Sequence, residues 1–438
     1  MIGQSQSSVI SHQTSGSYQP EAGSRKQAAG REGVTEGWKL PTDDRKGGRA
    51  SSYDVIIVGG GVMGCSVAYH LLRQEEHLRL AVVEKDSTYR QASSALSVGN
   101  VRVQFSLRQN IEISLYTFEF LARFAAEMGI DGSCLDVGLR REGNLFLVEE
   151  AGSAAAEEAL ELQRSLGCEV ELLSSDESAK RFALYRSSGF AGATFGPRDG
   201  HLDGYSLLMG FRNQAISRGA EVIEAEVTQI STASMAVTGV ELSTGARLVS
   251  PVVVNCAGAW AAGVAETAGI GLPVQPTQRQ VFVVEPEDKP TTRLPMTNLP
   301  SGLYFRSEGD DRLLVGKSMD RDRVGFDLRW EESRFTEVLW PELAEFVPAF
   351  DRLRFERGWA GLYAVNTLDG NAILGEWPDL EGLFHANGFS GHGLQQAPAV
   401  GRAISEHIAH GKYLSLDLSD LGFARIPEGR ALLEKNVF

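Results

Sequence analysis

The sequence predicts a mixed α/β (α+β) fold in which a parallel-sheet domain is interleaved with a β-rich domain. Three apolar, strand-like runs begin near residues 54, 252 and 383, and each leads into a turn of small residues and then a helix-like stretch. The segments between these units are rich in residues that alternate between apolar and polar, as half-buried strands do. We therefore expect the three units to share one sheet and the intervening segments to form a second domain.

The first unit carries the most informative motif. A β-branched run from residue 54 meets Gly59, Gly61 and Gly64, and a second strand-like run ends on Glu84. The first glycine permits a tight turn, the second lets backbone approach a pyrophosphate, and the third lets the helix pack close to the strand. The acid stands where a ribose-binding carboxylate is expected, which disfavours NADP. The motif predicts a Rossmann-like dinucleotide site and leaves FAD and NAD both open.

Helical periodicity and turn residues predict the remaining elements. We expect helices over residues 107–128, 154–166, 205–218 and 397–410, and a hairpin across residues 243–245. The second unit, ending in Ala257, Gly258 and Trp260, is another strand that runs into a small-residue turn. Repeated turns of this kind fit one long dinucleotide better than a single nucleotide.

Composition limits the kind of partner. The chain has 438 residues, 42% hydrophobic and 23% charged, which is enough for two globular domains. A formal net charge of −15 argues against nucleic acid and anionic membrane surfaces. The four cysteines show no CxxC spacing, so we expect no metal site and a reducing compartment. No run is long and apolar enough for a transmembrane segment, and we expect a soluble protein.

Residues 1–50 differ from the rest in composition. They are rich in Ser, Gly and Gln and poor in large apolar residues, so they cannot build a core. We predict a disordered leader, and its composition leaves open whether it is a targeting segment.

Taken together, these motifs resemble the D-amino-acid oxidase family of FAD enzymes, and in particular its sarcosine oxidase branch. The similarity covers nearly everything after Ser51. A subgroup of the family that assists assembly of mitochondrial respiratory complex I is more similar still, over residues 92–99, 104–107, 359–363, 388–398 and 414–438. The segments that carry the family resemblance are residues 54–84, 92–99, 227, 252–260, 363–369 and 388–393.

The resemblance implies a fold of the glutathione-reductase/D-amino-acid oxidase type, with the isoalloxazine of FAD between the domains. The implied FAD-binding domain comprises residues 51–135, 190–275 and 356–438, and the substrate or cap domain residues 136–189 and 276–355. The implied catalytic candidates are His392, Tyr363, Tyr304 and Arg102. The implied cofactor-binding residues are Gly59, Gly61, Val62, Met63, Gly64, Glu84, Lys85, Ser93, Ser94, Ser97, Val98, Gly99, Val227, Ala257, Gly258, Trp260, Gly388, Phe389, Ser390, Gly391, His392 and Gly393.

Departures from the family pattern shape the expected chemistry. Gly361 and Leu362 precede Tyr363 where sarcosine oxidases carry a flavin-linking cysteine, and no histidine stands beside Ser93, so we expect non-covalent FAD. The arginine and lysine that hold the substrate carboxylate in those enzymes fall at Phe105 and Gln395. We consider Arg102 or Arg306 as substitutes.

A third departure concerns oxygen. The lysine that activates oxygen in sarcosine oxidase falls near Leu314, and Lys317 is expected on the opposite strand face. We therefore expect a dehydrogenase that passes electrons to a protein or quinone acceptor rather than an efficient oxidase.

Two functions remain open at this point. The first is dehydrogenation of a small amine, or of an N-alkyl or D-amino acid, by hydride transfer to FAD. The second is a flavoprotein assembly factor that docks onto respiratory complex I subunits with little or no turnover. A nicotinamide dehydrogenase is disfavoured because only one complete fingerprint is present. The expected location is the mitochondrial matrix side if the source is eukaryotic and the cytoplasm if it is bacterial.

Overall fold

The structure, a computed structural model, describes residues 51–130 and 135–435. The predicted leader lies outside these residues. The mixed α/β fold is confirmed, with strands and helices following one another along the described chain. Numbered in chain order, the strands are β1 (Val55–Val58), β2 (Leu80–Glu84), β3 (Asn100–Val101), β4 (Asn144–Val148), β5 (Glu171–Ser174), β6 (Gly192–Gly196), β7 (Gly200–His201), β8 (Glu221–Glu224), β9 (Val227–Ala233), β10 (Ala236–Leu242), β11 (Arg247–Val249), β12 (Val253–Asn255), β13 (Val274–Pro286), β14 (Met296–Asn298), β15 (Leu303–Glu308), β16 (Arg312–Lys317), β17 (Leu353–Asn366), β18 (Ile373–Glu376) and β19 (Leu383–Asn387).

The helices agree with the periodicity of the sequence. Four predicted helices are confirmed, with ends that differ by a few residues from the predicted ones, and the largest difference is an earlier start at Gly393. A π-helical turn, Phe335–Leu339, joins two short α-helices into one continuous rod. The α-helices are α1 (Val62–Gln74), α2 (Ser93–Leu96), α3 (Arg108–Met128), α4 (Ser153–Ser165), α5 (Ser175–Arg181), α6 (Gly204–Ser217), α7 (Ala261–Glu266), α8 (Glu332–Arg334), α9 (Trp340–Phe346) and α10 (Gly393–His410).

A six-stranded sheet holds the three predicted units together. Its strand order is β18-β19-β12-β1-β2-β8, and all neighbours are parallel except β18 and β19. Strand β1 lies near the centre, and its alternate residues enter different cores: Val55 and Ile57 pack against the helices, while Ile56 and Val58 pack toward the β9–β11 sheet. Burial on both faces explains why this strand is an unbroken apolar run.

An eight-stranded sheet forms the second layer of the molecule, in the order β17-β13-β16-β15-β14-β4-β6-β5. Its longest pairing joins β13 to β17 in antiparallel register from Val274 with Asn366 to Pro286 with Leu353. Phe282, Phe305 and Val315 on one face form a core with the 335–350 helical segment. The opposite face is therefore free to line a cavity.

The predicted division of the chain into two domains stays a prediction, and one boundary does not coincide with sheet membership. Strand β6 belongs to the eight-stranded sheet, although we predicted that residues from 190 belong to the nucleotide-binding domain. The glycines of β6 pair with β4 and β5, a long-range contact that composition does not reveal. Among the described residues, every helix is too short or too polar to cross a bilayer.

The C-terminal segment is fastened by a buried ion pair. Arg425 has no exposed side-chain surface, and its Nε donates to the Oδ2 of Asp369 at 2.9 Å. The same guanidinium donates to the carbonyl oxygens of Leu421 and Ala372 at 2.6 and 2.8 Å. Because the ion pair is buried and richly hydrogen-bonded, losing one partner leaves an uncompensated charge.

We expect Arg425→Ala to lower the free energy of unfolding by about 3–5 kcal/mol, because the Asp369 carboxylate then remains buried without its cation. Chemical denaturation followed by circular dichroism measures this change. The matched control is Arg430→Ala, whose guanidinium pairs with Glu428 at the surface, and we expect a change within about 0.5 kcal/mol. Equal stability of the two variants would contradict a structural role for the buried pair.

Candidate functional site

Three turns converge at one edge of the six-stranded sheet. Strands β1, β12 and β19 are parallel neighbours, so their carboxyl ends lie side by side. The turns that follow contain Gly59, Ala257 and Gly391, and all three residues line one long cavity that continues between the two large sheets. Turns from distant parts of the sequence thus share a single cleft.

The first turn is fixed by close backbone contacts. Gly59 has φ of +98°, and a Cβ added there would lie 2.6 Å from the carbonyl oxygen of Cys256. A Cβ at Gly64 would lie 2.0 Å from the carbonyl oxygen of Gly59. Gly61 differs, because a Cβ added there would meet nothing closer than the Ser94 hydroxyl at 3.5 Å. The backbone of Gly61 is therefore open to the cavity. The contacts at Gly59 and Gly64 are those of a tight turn and a closely packed helix, and the pyrophosphate at Gly61 stays a prediction.

Glu84 closes the glycine turn from the neighbouring strand. Its Oε2 accepts from the backbone N–H of Gly60 at 2.7 Å, and its Oε1 accepts from that of Asp86 at 3.0 Å. The carboxylate lines the cavity, half-buried, where a ribose hydroxyl would be in reach of its remaining lone pairs. Glu84 therefore both shapes the turn and offers an acceptor to a ligand.

Ser93 and Ser94, in the segment 92–99, both form hydrogen bonds within the protein. Ser94 accepts from the backbone N–H of Val62 at 3.1 Å, and Ser93 donates to the carbonyl oxygen of Leu362 at 2.6 Å. The first bond fastens α2 to the start of α1, and the second fastens it to β17. Both residues line the cavity, so they hold together the walls at its middle.

The nucleotide end of the cavity carries an aromatic and cationic group. The Nζ of Lys85 lies 3.3 Å from the ring centroid of Trp260, and that ring stacks on Phe326 at 5.3 Å. Lys85, Trp260 and Val227 all line the cavity, whereas half of the Phe326 surface is exposed. A cation held on an aromatic face is stabilised by the ring quadrupole.

The third turn is strained where it meets β17. Ser390 has a positive φ of 48°, and Gly391 has φ of +103° with no room for a Cβ, which would lie 2.3 Å from the ring of Tyr363. The Ser390 hydroxyl accepts from the backbone N–H of Asn366 at 3.0 Å. The turn is therefore pressed against the strand that carries Tyr363.

At the other end of the cavity, Arg102 is the dominant charge. Its guanidinium lies 3.3 Å from the Nε2 of His392, measured from Nη2, and 4.1 Å from the ring centroid of Phe105. Its backbone N–H donates to the Oε1 of Gln395 at 2.9 Å. Burial, aided by the adjacent guanidinium, lowers the pKa of His392 to about 3, so this imidazole is neutral at physiological pH.

Two of the sequence departures lie in direct contact with Arg102. Phe105 and Gln395, which stand where sarcosine oxidases carry cations, both support Arg102. Arg306, the other candidate, is buried elsewhere: its guanidinium donates to the carbonyl oxygen of Val98 at 3.1 Å and pairs with Glu308. It does not line the cavity. Of the two substitutes, only Arg102 faces the ligand space.

Sequence reasoning missed a further cavity cation, Arg279. Its Nη1 donates to the Oδ2 of Asp322 at 2.7 Å, and its guanidinium lies 5.2 Å from the ring centroid of Tyr363. Tyr304 and Tyr363 line the same wall, and burial raises the pKa of both phenols. The alternation of β13, in which Arg279 shares a face with Val281 opposite Phe282, is the signal that could have revealed it.

A buried carboxyl lies behind the Arg102 segment. Asp199 accepts from the backbone N–H of Val103 and from the Nε2 of Gln104, both at 3.0 Å. Burial raises the pKa of Asp199 to about 7, although these bonds and the charge of Arg102 act in the other direction. Local sequence patterns could not identify this residue, because its hydrogen-bond partners lie nearly a hundred positions away along the chain.

Most of the predicted site residues line the cavity. The exceptions are Gly64, Gly99 and Gly388, which lie behind its wall and allow close packing there: a Cβ at Gly99 would lie 1.9 Å from the carbonyl oxygen of Leu202. The predicted residues that line the cavity are Gly59, Gly61, Val62, Met63, Glu84, Lys85, Ser93, Ser94, Ser97, Val98, Arg102, Val227, Ala257, Gly258, Trp260, Tyr304, Tyr363, Phe389, Ser390, Gly391, His392 and Gly393.

The cavity fits a long, anionic dinucleotide whose far end reaches between the sheets. It offers an open glycine at a helix N-terminus, an acid at the ribose position and a polar chamber next to Tyr363 and Arg102. That combination is the one expected of the FAD-dependent oxidoreductases, in which the flavin meets a substrate between two domains.

Comparison with known proteins agrees. The profile of one protein family, FAD dependent oxidoreductase (DAO), matches residues 54–407, and the chain belongs to that family. FAD is accordingly its cofactor. A Xenopus laevis protein called FAD-dependent oxidoreductase domain-containing protein 1 is 38% identical over 91% of this chain and 86% of its own length.

A more distant relative and a solved structure are also similar to this chain. Glycine oxidase from Geobacillus kaustophilus is 28% identical over 85% of this chain and 97% of its own length. The crystal structure of L-proline dehydrogenase from P. horikoshii superposes with a TM-score of 0.77 at 24% identity, covering 88% of this chain and all of the other.

We expect Glu84→Ala to weaken FAD binding by about ten- to a hundredfold, because two turn-closing hydrogen bonds to a carboxylate and a ribose acceptor are lost together. Titration of the apoprotein with FAD, followed by quenching of flavin fluorescence, gives the dissociation constant. The control is Glu76→Ala, at an exposed position just after helix α1, and this variant should bind FAD as the wild type does. Unchanged affinity in Glu84→Ala would contradict its role at the turn.

Proposed function

We propose that the protein dehydrogenates the CH–NH group of a small amine or amino acid that carries a carboxylate. Arg102 holds this carboxylate, and non-covalently bound FAD accepts the hydride. The observation that carries this proposal is the guanidinium of Arg102 on the cavity wall, next to His392 and Tyr363. Its support by Phe105 and Gln395 explains how an anion could be held without the family's usual pair of cations. The relative named glycine oxidase makes an amino acid a reasonable substrate class.

In the chamber, charged side chains bind the carboxylate and aromatic side chains exclude water. Bound FAD supplies the hydride acceptor. Arg102 offers charge-assisted hydrogen bonds that fix the orientation of a carboxylate. Phe105 and Phe146, whose ring centroids lie 4.1 and 5.0 Å from that guanidinium, keep water away from its faces. His392, neutral and 3.3 Å from Nη2, adds no competing positive charge and can accept a proton only at low pH.

Non-covalent attachment is favoured by the residues around Tyr363. The segment before it is Gly361 and Leu362, with no nucleophilic side chain, and Ser93 is engaged with the carbonyl oxygen of Leu362. A cysteine that does line the cavity, Cys256, is next to Gly59 at the nucleotide end, and burial raises its pKa. All flavin should therefore be released when the protein is precipitated with acid.

We further propose that the enzyme is a dehydrogenase rather than an oxidase, with a protein or quinone as electron acceptor. Leu314 is buried, and Lys317 pairs with Glu342 of α9 on the helix-covered side. Arg279 does bring a positive charge to the cavity, but Asp322 offsets part of it. We expect slow reoxidation of the photoreduced flavin by air, and fast reoxidation would contradict the proposal.

The second candidate, a flavoprotein assembly factor for respiratory complex I, is favoured by the sequence resemblance described above. The lack of the family's usual carboxylate-binding cations would also favour this candidate, but Arg102 supplies a cation to the cavity in their place. A panel of secondary amines and D-amino acids added anaerobically separates the two candidates. Bleaching of the flavin absorption by one of them supports the enzyme, whereas no bleaching, together with loss of complex I after gene deletion, supports the assembly factor.

We expect Arg102→Met to weaken the binding of methoxyacetate, a carboxylate without an oxidisable amine, by about ten- to a hundredfold, because charge-assisted hydrogen bonds are lost. The shift of the flavin absorption bands on titration of the holoprotein measures binding. Arg312→Met, an exposed arginine of β16, is the control and should have no effect. Equal affinities in wild type and Arg102→Met would exclude Arg102 as the anion site.

The same titration should depend on pH through Asp199. Below about pH 7 this carboxyl is protonated, so the charge of Arg102 is not offset; above it, the ionised carboxylate opposes an incoming anion. We expect methoxyacetate affinity to fall several-fold from pH 6 to pH 8, and Asp199→Asn to remove that dependence. Asp176→Asn, at an exposed helix start, should keep it. A dependence that persists in Asp199→Asn would assign it to another group.

A further inference from the structure

A carboxylate from the C-terminal segment caps the helix that follows the Arg102 segment. Helix α3 begins at Arg108, and its N-cap, Leu107, has no side chain that could accept a hydrogen bond. Glu434 fills this role from 327 positions away, accepting from the backbone N–H groups of Ser106 at 2.7 Å and Leu107 at 3.1 Å. It also accepts from the Ser106 hydroxyl at 2.7 Å. A negative charge at this point is favoured by the helix dipole.

The same carboxylate joins a buried junction of amides. Asn110, in the first turn of α3, donates to Glu434 at 2.7 Å and to the Oδ1 of Asn371 at 2.8 Å, and it accepts from the Nε2 of Gln396 at 3.0 Å. Asn371 in turn donates to the carbonyl oxygen of Leu432 at 2.6 Å. Glu434 therefore bonds directly to residues 106–110, and Asn110 connects that segment to Asn371 and Gln396.

Each of those parts leads directly to a side chain of the substrate chamber. Ser106 follows the segment that contains Arg102. Asn371 closes the loop after β17, the strand that carries Tyr363. Gln396 lies in the first turn of α10, and its backbone N–H donates to the carbonyl oxygen of His392 at 3.1 Å. Arg102, Tyr363 and His392 are therefore held by segments that meet at the Asn110–Glu434 junction.

We propose that Glu434 is a positioning residue of the substrate site: through Ser106, Asn110, Asn371 and Gln396 it sets the relative placement of Arg102, Tyr363 and His392. The part of this proposal that concerns ligand affinity rests on the proposed function of Arg102 as the anion site. The part that concerns the geometry of the three segments does not.

Charge and positioning predict opposite effects, which makes the proposal testable. The negative charge of Glu434 acts on Arg102 and favours its charged form, so removing that charge would by itself strengthen the attraction of Arg102 for an anion. Removing the junction instead lets the Arg102 segment move, which weakens anion binding. Glu434→Gln removes the charge and also weakens the junction, because the four groups that donate to Glu434 all need acceptor atoms and the NH2 group of an amide cannot accept.

The experiment compares methoxyacetate binding to the FAD-bound wild type and Glu434→Gln, together with FAD affinity, thermal midpoint and amide hydrogen exchange. We expect about tenfold weaker anion binding, FAD affinity within about twofold, and faster exchange confined to residues 101–110, 366–371 and 393–396. Lys435→Met, from the same segment, removes only an exposed ion pair with Glu158 and is the matched control. Ser106→Ala, which removes one of the four bonds to Glu434 and the bond from the backbone N–H of Lys435, should give a smaller effect of the same sign.

The outcomes separate the two proposals. Unchanged or tighter anion binding in Glu434→Gln, with exchange in the three segments unchanged, would overturn the positioning role. If methoxyacetate does not perturb the wild type at all, the assignment of Arg102 as the anion site fails, and exchange in the three segments still decides whether Glu434 positions them. If Glu434→Gln does not fold, Ser106→Ala decides by the same measurements.

Discussion

The close approach of backbone at the first glycine turn is the constraint on which the rest of the structure depends. The carbonyl oxygen of Cys256 occupies the space that any side chain at residue 59 would need, and the carbonyl oxygen of Gly59 does the same for residue 64. These contacts bring β1, α1 and the turn after β12 to one point. The cavity exists because two turns can touch there without side chains between them.

The substrate chamber is built differently, from side chains that arrive from distant segments. Arg102 is held by a ring and an amide at the positions where related enzymes carry cations. Arg102 thus brings a positive charge to the cavity a few residues away from the position at which the family resemblance implies one. Because Arg102 is buried, its placement depends on neighbours that are themselves hydrogen-bonded, including the segment capped by Glu434.

The sequence predicted the parts of the molecule that rest on local rules. The strand–glycine–helix units, the acid at Glu84 and the long helices follow from residue spacing, and the parallel sheet brings the three turns together as expected. Lys317 also lies on the strand face predicted for it, where it pairs with Glu342.

What the sequence did not reveal are pairings over long distances along the chain. Arg279 meets Asp322 forty-three positions away, and Glu434 meets Ser106 at more than three hundred. Strand β6 joined the eight-stranded sheet for the same reason, because its short glycine-containing run has no periodicity that assigns it to either sheet. Such contacts depend on tertiary packing, which local propensity and spacing do not encode.

Equilibrium titration of the purified apoprotein with FAD tests the central claim most directly. The account predicts one FAD per chain, bound tightly enough to turn the protein yellow, with loss of binding when Gly59 is replaced by valine, whose side chain would collide with the carbonyl of Cys256. A protein that stays colourless after incubation with FAD, or a Gly59→Val variant that binds FAD as the wild type does, would contradict it.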